Sequence, residues 1–98
     1  MKSRAVSDME TSLKKKGFLC SETHHAIYWF HVGERKTSIR TRFSQGMREC
    51  DIHLLAQVRK QIKLNNWDEF NRFMDCPMGG DEYLRLMRQR GHVDIQPS

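Results

Sequence analysis

Histidines bracket the most apolar run of this chain, Thr23-His24-His25-Ala26-Ile27-Tyr28-Trp29-Phe30-His31. Imidazole titrates near neutral pH, so a histidine beside a phosphodiester can take the proton of a ribose 2′-hydroxyl or protonate the leaving oxygen. Aromatic and β-branched residues in a short run read as a strand, whose side chains alternate between two faces. His25, Ile27, Trp29 and His31 then share one face, and His24, Ala26, Tyr28 and Phe30 the other. The stretch 37–43 alternates as well, with Thr37, Ile39, Thr41 and Phe43 on one side and Ser38, Arg40 and Arg42 on the other. Tyr28 and Phe30 with Ile39 and Phe43 make the better core. The opposite face then collects two imidazoles, an indole and two guanidiniums, which suits phosphate neutralisation and base stacking. The competing reading is that later helices fold over this face and bury Ile27 and Trp29. His25 and His31 lie six residues apart, roughly 20 Å along a strand, too far to act on one phosphate unless the strand bulges.

The charge supports a polyanion as partner. The 98 residues carry a formal charge of +5, with a balance of +7 over residues 1–64 and −2 over residues 65–98. A basic body with a mildly acidic tail favours nucleic acid. Lys14-Lys15-Lys16 are further candidate phosphate contacts, although three lysines also suit the solvated end of a helix. No metal or other cofactor is expected: five histidines and three cysteines are present, but no HxH, HExxH or CxxC groups them. Cys20, Cys50 and Cys76 are odd in number and widely spaced, which fits reduced thiols and a cytoplasmic location. The first 16 residues have no apolar stretch of signal-peptide type, and the run Ala26–Phe30 is far too short to span a bilayer.

The elements that must position these groups follow from periodicity. Val6, Met9 and Leu13 predict a helix over 3–16, capped by Ser3 and closed by Gly17. Phe18-Leu19-Cys20 is a short first strand, the opening run the second, and residues 37–43 the third, after a turn at Gly33. Asp51 is expected to cap a helix reaching about Leu64, with Ile52, Leu55, Ala56 and Ile62 buried and Leu54 and Val58 widening the stripe. Asn66 opens another helix packed through Trp67, Phe70 and Met74 and stopped at Cys76-Pro77. Gly79-Gly80 is a hinge. Asp81 caps a last helix with Tyr83, Leu84 and Met87 inward, and the chain frays after Gly91. The expected fold class is α+β: helix, three-stranded antiparallel sheet, helix, then two short C-terminal helices. Residues 1–64 form the α-β-β-β-α domain, and residues 65–98 a helical extension packed on it.

Several short motifs in this order resemble the HicA family of bacterial toxin–antitoxin systems. They are Lys2-Ser3, Lys16-Gly17-Phe18, His25-Ala26-Ile27-Tyr28, Thr37-Ser38-Ile39 and Asp51-Ile52-His53-Leu54-Leu55, and together they span residues 1–64. The resemblance implies a double-stranded-RNA-binding-domain-like fold and an mRNA endoribonuclease with an essential strand histidine. It also implies neutralisation by a HicB-type antitoxin. The matching position is His25, or His24 if the register slips by one. The chain departs from the family pattern at Thr23-His24, where a Gly-Ser pair is usual, in lacking a proline after the third strand, and in its extension over 65–98.

Two functions follow from these residues. One is an RNA-cleaving toxin acting through His25, with Trp29, His31, Ser38, Arg40, Arg42 and Lys14-Lys15-Lys16 binding RNA. The other is a non-catalytic RNA- or protein-binding module of the same fold. The missing Gly-Ser and the added tail favour the second; an antitoxin encoded alongside would favour the first.

Overall fold

The computed structural model describes residues 3–22, 26–44, 46–75 and 77–93. The architecture is α+β. In chain order it comprises β1 (Arg4–Ala5), α1 (Val6–Lys15), β2 (Phe18–Glu22), β3 (Ala26–Val32), β4 (Arg35–Phe43), β5 (Glu49–Cys50), α2 (Ile52–Gln61), α3 (Trp67–Met74) and α4 (Gly80–Gln89). Strands β2, β3 and β4 form an antiparallel sheet in that order, and β1 pairs with β5 in a separate two-stranded ribbon. No helix among the described residues is long and apolar enough to cross a membrane.

The first helix starts later than its periodicity suggests. Ser3 does not cap it, because Arg4–Ala5 is extended and pairs with Glu49–Cys50. The Val6 N–H donates to the Arg48 carbonyl at 2.8 Å, so a strand far along the chain satisfies a donor that a cap would otherwise serve. Ala5 is the N-cap residue and makes no side-chain bond. The helix does end where expected, at Gly17, whose φ is +100°. A β-carbon there would also lie 3.1 Å from the Phe30 ring, so only glycine fits the crossing of this turn beneath β3.

The sheet follows the predicted alternation. On β3, Tyr28 and Phe30 are buried; on β4, Thr37, Ile39, Thr41 and Phe43 are buried while Ser38, Arg40 and Arg42 are exposed. β4 begins at Arg35, two residues before the predicted strand, because Gly33-Glu34 closes the hairpin and Val32 pairs with Arg35. The register shifts between Trp29↔Arg40 and His31↔Lys36, leaving two extra residues on β4. Thr37 closes this bulge: its Oγ1 donates to the Phe30 carbonyl at 2.7 Å and accepts from the Ile39 N–H at 3.2 Å.

Two helix caps match the sequence. Asp51 accepts from the Leu54 N–H at 3.0 Å. Asn66 accepts from the Glu69 N–H, while the Glu69 carboxylate accepts from the Asn65 N–H, each at 2.9 Å. Other expectations are corrected. Ile52 is exposed, and the buried side chains of α2 and its end are Leu55, Val58, Ile62 and Leu64. The helix stops at Gln61 rather than Leu64. Trp67 is half-buried, and Phe73, unassigned by the sequence reading, is fully buried beside Phe70. Asp81 lies within the first turn of α4, whose N-cap is Gly79. Gly80 abuts Lys16, and a β-carbon there would come within 3.3 Å of the Lys16 Cα. The chain is still packed at Val93, which is buried. Cys76 lies outside the described residues.

α3 and α4 enter the same core as the elements before them. Tyr83 packs its ring on Phe18, Phe30 and Phe73, at centroid distances of 5.7, 4.9 and 5.0 Å. Ser12 of α1 donates to the Met74 carbonyl at 2.7 Å, and Arg4 reaches Asp75 at 2.9 Å. Arg90 clamps Glu69 through two hydrogen bonds, which hold the Glu69 carboxyl below the usual carboxylate range. Phe73→Ala should therefore cost about 3–5 kcal/mol, the usual range for truncating a fully buried phenylalanine, read as a lower midpoint of urea unfolding. Unchanged stability would mean that the core is complete without α3.

Candidate nucleic-acid interface

One face of the sheet is covered by helices and the other is open. Tyr28 reaches the helical side, where its hydroxyl donates to Glu10 of α1. Burial, with Glu10 beside it, pushes the Tyr28 phenol well above its ordinary range, so it stays protonated. The opposite face carries Leu19 and Ser21 of β2, Ile27, Trp29 and His31 of β3, and Lys36, Ser38, Arg40 and Arg42 of β4. Leu19 is 54% exposed, and Ile27, Trp29 and His31 are half-buried. The reading in which later helices cover this face is not what the fold adopts, since α3 and α4 pack on the other side, through Phe73 and Tyr83.

Register brings the functional groups together. Trp29 pairs with Arg40 and Ile27 with Arg42. The Arg40 guanidinium lies 5.1 Å from the Trp29 ring centroid and the Lys36 ammonium 4.4 Å from it. Such contacts are worth only about 0.5–1 kcal/mol at exposed sites, so a phosphate or a base can displace them. His31 Nδ1 lies 2.9 Å from the Trp29 carbonyl. A carbonyl only accepts, so Nδ1 carries the proton and, in the neutral ring, Nε2 is left as the acceptor.

The structure sorts the other candidates. His25 and its alternative His24 lie outside the described residues; His25 immediately precedes Ala26, the first residue of β3. Lys14 and Lys15 are exposed at the end of α1, which packs beneath the helix-covered side of the sheet and so stands apart from the open face. Lys16 is corrected: it is 4% exposed and its ammonium lies 4.7 Å from the Phe73 ring centroid, inside the packing of α1 and α3, where it is no contact for an external phosphate. Among the described residues no group of three or more histidine, cysteine, aspartate or glutamate side chains could hold a metal ion.

Three basic or polar contributors lie outside the candidate residues that the sequence pattern marks. A turn at Gly33 followed by a strand over 37–43 leaves Lys36 outside the sheet, but the two-residue hairpin loop and the bulge put it on the strand opposite His31. Gln61 and Lys63 come from the end of α2, which lies against the free edge of β4. Between them and Arg40, Thr41 and Arg42 is a cavity of about 430 Å³. Only Lys36 had a local signal, because Gly33-Glu34 suits a two-residue hairpin turn. Comparison with protein-family models, with curated proteins and with solved structures found no match.

The electrostatics of the face can be read directly from its indole. In a Trp67→Phe background Trp29 is the lone tryptophan, and the ratio of iodide to caesium quenching should exceed that for free N-acetyltryptophanamide by roughly sevenfold, the product of an e-fold gain for the anion and an e-fold loss for the cation at a surface potential near one kT. The excess should shrink in Lys36→Ala/Arg40→Ala protein, and in 1 M salt, where the screening length is about 3 Å. A ratio at low salt equal to that of free N-acetyltryptophanamide would show that the indole sits in no positive field.

Proposed function

We infer that this chain is a HicA-like RNA-binding domain, with a double-stranded-RNA-binding-domain-like fold, that takes single-stranded RNA on its open sheet face and cuts it through His25. The observation that carries RNA binding is the composition of that face. An indole and an apolar neighbour, Ile27, stand among Lys36, Arg40, Arg42 and His31, and none of the described residues on the face is a carboxylate. Cations neutralise phosphates, and an accessible aromatic ring stacks on unpaired bases, which favours single strands. Cleavage follows from the resemblance: a histidine at position 25 would take the 2′-hydroxyl proton or protonate the leaving oxygen. The same reading places the protein in the cytoplasm, with a HicB-type antitoxin as its neutralising partner.

Two measurements test the two parts separately. Arg40→Ala/Arg42→Ala should lower the slope of log affinity against log salt by about 1.4 for single-stranded RNA, at roughly 0.7 per lost phosphate contact. An unchanged slope would remove the open face as the binding surface. His25→Ala should slow RNA cleavage by about 10²–10⁴ while binding and melting temperature stay near wild type. Loss of cleavage in His24→Ala protein alone would shift the register by one residue. If wild-type protein freed of any partner cuts no RNA, the non-catalytic binding module is the function.

A further inference from the structure

Lys63 is the sole non-glycine among the described residues with a positive φ, +65°. It closes α2 as Gly91 closes α4. In each turn the left-handed residue donates to the carbonyl three residues back, Lys63 to Lys60 and Gly91 to Arg88, both at 3.1 Å. The next residue reaches five back, Leu64 to Arg59 at 3.0 Å and His92 to Met87 at 2.9 Å. Glycine adopts this conformation without steric cost, whereas a β-carbon does not. The α4 turn uses glycine; the α2 turn carries a lysine that the turn itself does not require.

The surroundings of Lys63 suggest what its side chain meets. β4 is the free edge of the sheet. The Thr41 hydroxyl donates to Gln61 Oε1 at 2.6 Å, tying the end of α2 to that edge and orienting the Gln61 amide. Tyr83 holds the turn from below by donating to the Ile62 carbonyl at 2.7 Å. Among the described residues that line this cavity, Arg40, Arg42 and Lys63 are the charged groups and none is a carboxylate. Neither Arg42 nor Lys63 forms an ion pair among the described residues. Arg40 belongs to both the cavity wall and the Trp29 ring, so the cavity and the aromatic platform are contiguous.

We propose that this cavity is a phosphate subsite for a nucleotide whose base stacks on Trp29. Arg40 and Arg42 approach the phosphate from the sheet, and Lys63 and Gln61 from the end of α2. A volume near 430 Å³ admits a ribose together with its phosphate. The subsite rests on the RNA reading of the open face and adds to it: the RNA backbone turns from the face around the β4 edge, and the protein recognises a base and its phosphate as one unit.

Titrating ¹⁵N-labelled protein with uridine 3′-monophosphate, uridine and inorganic phosphate tests this through amide shifts. The nucleotide should bind at least about tenfold more tightly than either fragment, and should shift residues of both the cavity and β3. Lys63→Gly removes the ammonium while suiting the left-handed turn, so melting should be preserved. Its nucleotide affinity should fall about fivefold, the effect of losing one exposed charge-assisted contact, with uridine binding unchanged. Gln61→Ala should act in the same direction. If both variants bind the nucleotide like the parent while Trp29→Ala abolishes binding, the subsite is wrong and the RNA face stands. If inorganic phosphate binds as tightly as the nucleotide, the cavity is an anion site uncoupled from Trp29, and the proposal falls. If neither the nucleotide nor single-stranded RNA binds, the RNA reading fails with it.

Discussion

Tyr83 is the point at which the parts of this molecule meet. Its ring, fully buried, touches Phe18 and Phe30 from the sheet and Phe73 from α3, and its hydroxyl donates to the Ile62 carbonyl at the end of α2. Burial pushes its phenol pKa far up, so the group is a neutral donor at any physiological pH. A three-stranded sheet in a chain of 98 residues has little apolar material to spend, and a second core of similar quality is out of reach at this size. With Phe18, Tyr28, Phe30, Phe70, Phe73 and Tyr83 gathered on one side, nothing in the described chain is left to cover the other. The open face is a consequence of where the aromatics go.

What that face displays depends on parity. Side chains on a strand alternate with period two, so a single inserted residue would reverse every later side chain. The irregularity opposite Phe30 inserts two residues into β4, and inward Thr37, Ile39, Thr41 and Phe43 keep step with outward Lys36, Ser38, Arg40 and Arg42. The bulge needs a hydroxyl at its centre because the ladder is broken there. Thr37 supplies one, bonding both the Phe30 carbonyl and the Ile39 N–H. A buried backbone defect is thereby satisfied without a charged group, and the strand reaches its free edge in register.

The positive character of the face also reflects where the acids are used. Glu69 is clamped by Arg90, Asp75 by Arg4, Glu82 by Arg72, and Glu10 accepts from Tyr28. The arginine partners hold Glu69 and Asp75 below the ordinary carboxylate range. These carboxylates tie the helices to one another, to β1 and to the sheet from its covered side. Arg40, Arg42 and Lys36 have no such partner among the described residues; they lie beside an indole or face the β4 edge. Pairing on one side of the sheet thus gives a chain of modest net charge one strongly basic surface, and that asymmetry is what the RNA-binding reading rests on.

The sequence by itself determined the features that depend on near neighbours. The order of the four helices and of the three sheet strands, the two faces of β3 and β4, and the caps at Asp51 and Asn66 were legible, because alternation and capping involve residues only a few positions apart; the β1–β5 ribbon was not. Features set by distant partners were not. The start of α1 is decided by Arg48 and β5, more than forty residues away, so Ser3 looked like a cap and is not one. Lys16 read as a solvated helix end and is buried because α3 lays Phe73 against it. Gln61 and Lys63 belong to a helix end with no glycine to mark it, and they reach the basic face only because Tyr83 and Thr41 hold that end against the edge of β4. Periodicity states which side chains share a face; whether a face or a charge meets solvent is decided by what packs on it, and only the tertiary structure brings those partners together.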